Sequence, residues 1–362
     1  MRIFSLVSLA LVTVSLPRFL GAKPGLVEAT SNALKPRVIT EPTKHDTDDP
    51  AIWINREDRS KSLVVGTDKD SDGALYVFDL NGKVVNRVGD LKRPNNVDIA
   101  YGFSDRGKSI DIAVTTERER QRLRVFRLPE MTCLDSGDLI VFNGDESRAP
   151  MGIAMYRRPR DGAMFAFVGG KSGPSIDYIG QYLLTIDAKG KLSMRLVRQF
   201  GAYSGKKEIE AIAVDVELGY VYYSDEQYGV RKYLADPDAP EADRELALFA
   251  TSGFAGDHEG ISIYKKNDGT GYILVSDQQA NQFRIFKREG EPGKPHQHDL
   301  VKTVPVSAIE SDGSDVTNAA LDPQFPSGLF VAMSNGRVFH YYSWDDIAGK
   351  DLDKAPNGEK RK

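Results

Sequence analysis

The chain has 362 residues, 40% of them hydrophobic and 28% charged, with 33 Gly, 18 Pro and a formal net charge of −4. This is the composition of a soluble globular protein, long enough for two average domains or one large all-β unit. Mild acidity without a long basic run argues against a nucleic-acid partner, and the single cysteine, Cys133, excludes an intramolecular disulfide framework.

In chain order, the first feature is Arg2, an apolar run from Ile3 to Leu16, and the small pair Gly21-Ala22. That is the charged head, hydrophobic middle and cleavage region of a secretory signal peptide. Pro17 and Arg18 interrupt the end of a run already short for a membrane span. The expected arrangement is therefore a signal peptide over 1–22, a leader over 23–35, and a secreted or periplasmic protein without stable membrane insertion. Cys133 is expected to be a buried small apolar residue. Without disulfides, the core, a bound metal, or both must hold the fold.

From residue 36 the chain repeats. Six segments share a polar or acidic head, a short apolar strand, a turn, a second apolar strand ending in small polar residues, and a third strand. DDPAIWI, SLVVGTDK and ALYVFDL make the first; VTNAALD, LFVAMSN and RVFHYYSW make the sixth. The heads fall near positions 49, 95, 150, 209, 257 and 316, a period of roughly 50 residues. Short apolar runs bounded by Gly, Asp, Asn or Pro read as strands, and no segment sustains a helical period. The expected fold is all-β: a six-bladed β-propeller over 36–348 around a central channel, followed by a polar tail over 349–362. A sandwich or two tandem β domains are the alternatives. Val38 and Ile39 are expected to supply the outer strand of the last blade and close the ring.

In a propeller, equivalent repeat positions become neighbours around one mouth of the channel. The residues ending the second strands are Lys69, Arg118, Lys171, Glu226, Gln278 and Asn335: three cations, an acid, then two amides. The heads of the first strands add Asp48 and Asp49, Asn95 and Asn96, Met151, Glu210, Asp257 and Glu259, then Asp312, Asp315 and Asn318. In HDTDDPAIW, three carboxylates occupy four positions with no Lys or Arg among them, so a cation is needed to relieve them. Oxygen ligands without clustered His or Cys suit Ca²⁺ and disfavour zinc. A cationic half-rim facing carboxylate-bound metal is a phosphate site.

DDPAIW, NNVDI, VGGK, the Asp257-His258-Glu259-Gly260 run and PSGLFV at 326–331 resemble the β-propeller phytases, in order from about Asp46 to Ala348. The resemblance implies a phosphoric monoester hydrolase, 3-phytase-like, that uses several Ca²⁺ ions. Its substrate would be phytate (myo-inositol hexakisphosphate) or another phosphomonoester, as a calcium complex, attacked directly by metal-activated water. Carried over by position, Asp49, Glu210, Glu226, Asp257, Glu259 and Asp312 are expected as calcium ligands, with Asp48 and Asn96 in the same network. Lys69, Arg118 and Lys171 are expected to hold the scissile phosphate, with Gln278 beside them, and Glu226 serves catalysis as well as the metal. The expected state is a monomer.

The sequence departs from the family at several positions. Met151 stands where Tyr is frequent, Ser172 where an acid is common, and Asp70 where some members carry a second Lys. Asn318 stands for an acidic ligand and Ala211 for a Gly. Two other readings stay open: a six-bladed propeller lactonase or esterase, and a non-catalytic calcium-dependent binder of phosphorylated ligands.

Overall fold

The computed structural model describes residues 30–355, so the signal peptide expected over 1–22 and parts of the expected leader and tail lie outside it. Six four-stranded antiparallel sheets follow one another along the chain. Their innermost strands are Thr47–Trp53, Pro94–Asp105, Pro150–Arg157, Ile212–Asp215, His258–Lys265 and Ser314–Val316. The sixth sheet takes its outer strand from before the first: Val38 pairs with Tyr341 and Ile39 with His340. The ring is thereby closed, and the fold is a six-bladed β-propeller.

The apolar pattern explains the layering. Gly73–Phe78 and Leu329–Ser334 are buried at every position, because a middle strand packs against neighbouring blades on both faces. The outer strand Val84–Leu91 alternates instead, since one face meets water. The core divides into six hydrophobic clusters, one at each interface between blades. Val65, Leu75 and Val77 meet Val97, Ala113 and Phe126 between blades 1 and 2, for example. Phe78 meets Phe339 and Tyr341 where blade 6 returns to blade 1.

Two devices position the channel mouth. In blades 1, 2, 3 and 5 the innermost strand carries a bulge at its head: Thr47 to Pro50, Pro94 to Val97, Pro150 to Ile153 and His258 to Ile261 each face a shorter stretch of the second strand. A bulge breaks the two-residue alternation and re-aims side chains; Asp48, Asp49, Asn95, Asn96, Met151 and Glu259 all lie within these bulges. Half-buried carboxylates then tie one blade to the next. Asp49 Oδ2 accepts from Val97 N at 3.0 Å, Asp98 Oδ2 from Met155 N at 2.6 Å, and Asp315 Oδ2 from Ile52 N at 2.8 Å across the ring closure.

Cys133 is exposed, against expectation. It sits on the two-residue outermost strand Thr132–Cys133 of blade 2, where no further blade covers it, and Arg124 Nη2 donates to its Sγ at 3.1 Å. Among the described residues no helix is long and apolar enough to cross a membrane.

Candidate active site

Each second strand delivers one side chain to the mouth. The strands end at Asp68, Glu117, Gly170, Asp225, Asp277 and Ser334. Lys69, Arg118, Lys171, Glu226, Gln278 and Asn335 are the residues that follow. Four of these strands end on a buried acid, and each acid holds the loop arriving from the preceding blade. Asp68 Oδ1 accepts from Asp46 N at 2.8 Å, Glu117 Oε1 from Lys92 N at 2.6 Å, Asp225 Oδ2 from Ser204 N at 2.9 Å, and Asp277 Oδ1 from Ala255 N at 2.9 Å. These are scaffold acids. The sequence marks them by their repeat position, one residue before the row of mouth residues.

The row residues reach partners on the incoming loops. Lys69 Nζ lies 2.6 Å from Asp48 Oδ1 and 3.4 Å from Asp312 Oδ2, and Gln278 Nε2 donates to Asp312 Oδ1. Arg118 Nη1 donates to Asn95 Oδ1 at 3.0 Å, and Asn95 Nδ2 in turn donates to Glu210 Oε1 at 2.6 Å and Asn96 Oδ1 at 2.8 Å. Lys171 Nζ pairs with Glu208 Oε2 at 2.6 Å, and Asn335 Nδ2 donates to Glu310 Oε2 at 2.6 Å. In blade 4 the polarity is reversed. The row residue is the acid Glu226, and the loop supplies the cation, Lys207, at 2.8 Å.

Two glycines let the rim close. A Cβ on Gly152 would lie 1.9 Å from the Glu210 carbonyl oxygen, and one on Gly313 would lie 2.4 Å from Asp49 Oδ1. Bare backbone at both places brings Glu210 and Asp312 up to the strands beside them.

Acid outnumbers base in this mouth. Burial, reinforced by Glu210, pushes the Glu226 carboxyl up to about 9. Burial and the neighbouring Glu226 push Glu259 well above the ordinary range. For Lys69, burial opposes the charge, but Asp48, Glu210 and Asp312 together outweigh it and raise its pKa. Lys207 is raised in the same way, Glu259 and Glu226 outweighing its burial. Asp48 Oδ2, Glu226 Oε1 and Glu259 Oε2 are buried and accept no hydrogen bond, while Glu226 Oε2 meets Lys207. Such atoms are costly unless something fills them. Glu208, Glu210 and Glu226 bring ligand oxygens within 4.8 Å of one another. All-oxygen donors with unfilled lone pairs fit a hard divalent cation.

The structure thus gathers Lys69, Arg118, Lys171, Glu226 and Gln278 with Asp48, Asp49, Asn96, Glu210, Asp257, Glu259 and Asp312 around one mouth. It leaves out two residues that the repeat aligned there. Asp315 Oδ1 and Oδ2 accept backbone N–H groups from Val316 and Ile52. Asn318 Nδ2 donates to the Lys265 carbonyl at 2.7 Å, and Lys265 ends the strand that His258 begins at the mouth. The short innermost strand Ser314–Val316 has by then carried the chain to the far end of the channel. Met151 is buried, its carbonyl accepting from Thr116 Oγ1 at 2.6 Å. Lys207 and Glu208 belong to the site but went unnoticed, because they lie in the loop ahead of the strand head, outside the two rows of positions that the strands define.

A propeller mouth that gathers three cations beside carboxylates able to hold a metal ion is chemically suited to phosphate esters. The phytase family model matches residues 2–360, and the chain belongs to that family. The chain is 28% identical to a 3-phytase of Bacillus subtilis (strain 168) over 338 residues, covering 87% of this chain and 85% of that one. Family membership places it among the phosphate-ester hydrolases that act on phytate. Among solved structures it is similar to the Cps50 (Swd1) β-propeller domain of Myceliophteria thermophila. That likeness is 12% identity over 84% of this chain and 98% of the other, with a TM-score of 0.45. It is also similar to U3-55K, at 10% identity over 78% and 72% of the two chains, with the same TM-score. Likenesses that loose add nothing to the fold read from the strands.

Proposed function

We propose that the protein is an exported, calcium-dependent 3-phytase-like enzyme that releases inorganic phosphate from phytate by direct attack of water. The observation that carries this reading is the divided mouth: Lys69, Arg118 and Lys171 stand beside buried carboxylate oxygens that accept no hydrogen bond. The relative named a 3-phytase supports the subtype.

Lys69, Arg118 and Lys171 bind the oxygens of the scissile phosphate. Arg118 is fixed through one nitrogen by Asn95, which leaves the rest of its guanidinium fork for the substrate. Lys69 is held by Asp48 and Asp312 and has one N–H donor remaining. Lys171, half exposed beside Glu208, guards the open side of the rim. Asp48, Asp49, Glu210, Glu226 and Asp312, with Asn96, would hold calcium. Bound calcium would neutralise the phosphate on the side facing these carboxylates and favour deprotonation of the attacking water. As water adds to phosphorus, the bond to the inositol oxygen breaks and a proton ends on that oxygen. The three cations stabilise the charge gathering on the phosphoryl oxygens.

The test is phosphate release from phytate by chelator-treated protein as calcium is titrated back. Release should be absent in chelator and restored by calcium. Arg118→Ala should lose about 10²–10³ in kcat, the scale of losing one oxyanion donor. Undiminished release in chelator, or near-wild-type turnover of Arg118→Ala, would contradict the mechanism. Calcium-dependent phytate binding without turnover would instead make the protein a binder.

A further inference from the structure

Lys207 occupies a place where a metal ligand set would otherwise stand open. Its Nζ lies 2.7 Å from Asp257 Oδ2, 2.8 Å from Glu226 Oε2 and 3.4 Å from Glu259 Oε1. These carboxylates bring ligand oxygens within 4.8 Å of one another, and Glu226 and Glu259 are buried. Carboxylates so placed need a positive charge among them. The chain supplies one of its own. We propose that Lys207 is the resident cation of the Glu226/Asp257/Glu259 position, so that this position takes no divalent ion. The metal of the reaction is then confined to the remaining carboxylates, on the Glu210 side of Glu226.

Three observations carry this beyond a lysine near acids. First, the loop bearing Lys207 is fixed. Ser204 N and Oγ donate to Asp225 at 2.9 and 2.7 Å, Tyr203 Oη donates to the Lys207 carbonyl, and Lys206 Nζ reaches the Gln227 carbonyl at 2.9 Å. Second, Asp257 is already engaged by nitrogen donors: Gln227 Nε2 at 2.9 Å on Oδ1, and Gln279 Nε2 at 3.0 Å together with Lys207 on Oδ2. A divalent ion would have to displace these, whereas an ammonium joins them. Third, the pairing follows the repeat. Lys69, Arg118 and Asn335 each meet a polar group from the segment entering their own blade, Asp48, Asn95 and Glu310, and Lys207 is blade 4's contribution with the sign inverted; Lys171 and Gln278 reach the next blade's Glu208 and Asp312 instead. The lysine thus neutralises part of the acid surplus and leaves the remaining Glu226 oxygen, Oε1, to a metal on the Glu210 side.

The inference rests on the reading that the enzyme binds calcium, and its test separates the two. Calcium bound per chain is measured by equilibrium dialysis for wild type and for Lys207→Met, Lys207→Arg serving as the charge-preserving control. Lys207→Met should bind one ion more than wild type, Lys207→Arg the same number. The calcium-induced rise in Tm should be larger for Lys207→Met than for wild type. A measurement on wild type alone serves if the variant does not fold: acetylation of Lys207 by a small amine reagent, quantified by mass spectrometry. It should be unchanged by calcium if the lysine stays in place. Equal, non-zero stoichiometries, or acetylation rising several-fold with calcium, would show that the ion evicts Lys207 and overturn the proposal alone. Calcium bound by neither protein would overturn the metal reading and this one together.

Discussion

Asn95 has no exposed surface, and its amide is engaged on both sides. Its oxygen accepts from Arg118, and its nitrogen donates to Glu210 and to Asn96. One neutral side chain therefore joins a phosphate-binding cation to the acid at the centre of the mouth. As a sequence feature, Asn95-Asn96 is an ordinary turn-forming pair; the bulge after Pro94 is what turns both residues inward. Asn95→Ala would leave a buried Glu210 oxygen without its donor and free Arg118 to move. It should lower stability by about 1–3 kcal/mol in urea unfolding, the cost of leaving a buried polar group unpaired. It should also depress kcat/KM for phytate. Unchanged stability together with unchanged kcat/KM would remove Asn95 from the positioning role.

At the scale of the element, the closing strand is the clearest case of a local sequence with a global task. Val38–Ile39 has only two paired positions, but the bonds continue on either side. Arg37 N donates to the Tyr341 carbonyl at 2.8 Å, Thr40 N to the Phe339 carbonyl at 3.0 Å, and Phe339 N to Thr40 Oγ1 at 2.9 Å. A chain starting at Pro42 would forfeit these at about 1 kcal/mol net for each bond. Its urea midpoint should drop, while phosphate release at low temperature persists, because the strand lies on the outer edge of blade 6, away from the mouth. An undisplaced midpoint would mean that the ring closes without it. This strand was legible in the sequence, as were the blades, because apolar runs and turn residues recur at one period. The row from Lys69 to Asn335 was legible for the same reason: each member follows a strand that the pattern defines. The bulges were not, since one inserted residue leaves no mark in a short apolar run. Lys207 was not, because it lies in the loop ahead of the strand head, outside the rows of positions that the strands define. Asp315 and Asn318 were misplaced because blade 6 has an innermost strand of only three residues, so positions aligned by sequence have already travelled down the channel.

For the molecule as a whole, the mouth couples stability to pH and to calcium, and the sign can be worked out. Glu226 titrates near 9 in the fold against an ordinary 4.5, and Glu259 is raised in the same direction by burial. Between those values the folded protein holds protons that the unfolded chain has released. Without metal, this contribution is therefore fully present below about 4.5 and is lost as pH rises through about 9. Other buried groups titrate as well. His298 and His340, both held near 4 by burial, contribute stability above the ordinary histidine value and lose it as pH falls through 4. Lys232, brought down to about 8 by burial, contributes on the alkaline side. None of these three is among the expected ligands, so their effects are the same with and without calcium and cancel in the difference. A cation bound to ionised Glu226, which faces the metal side, competes with its proton. The calcium-induced rise in Tm should therefore grow steadily from about pH 6 to about pH 9 as fewer protons must be displaced. Differential scanning fluorimetry in chelator and in saturating calcium, at matched pH, reads this difference directly. A rise of the same size at both ends would mean that the carboxylates are already ionised without metal, and the picture of a proton-holding acidic half-rim would fall.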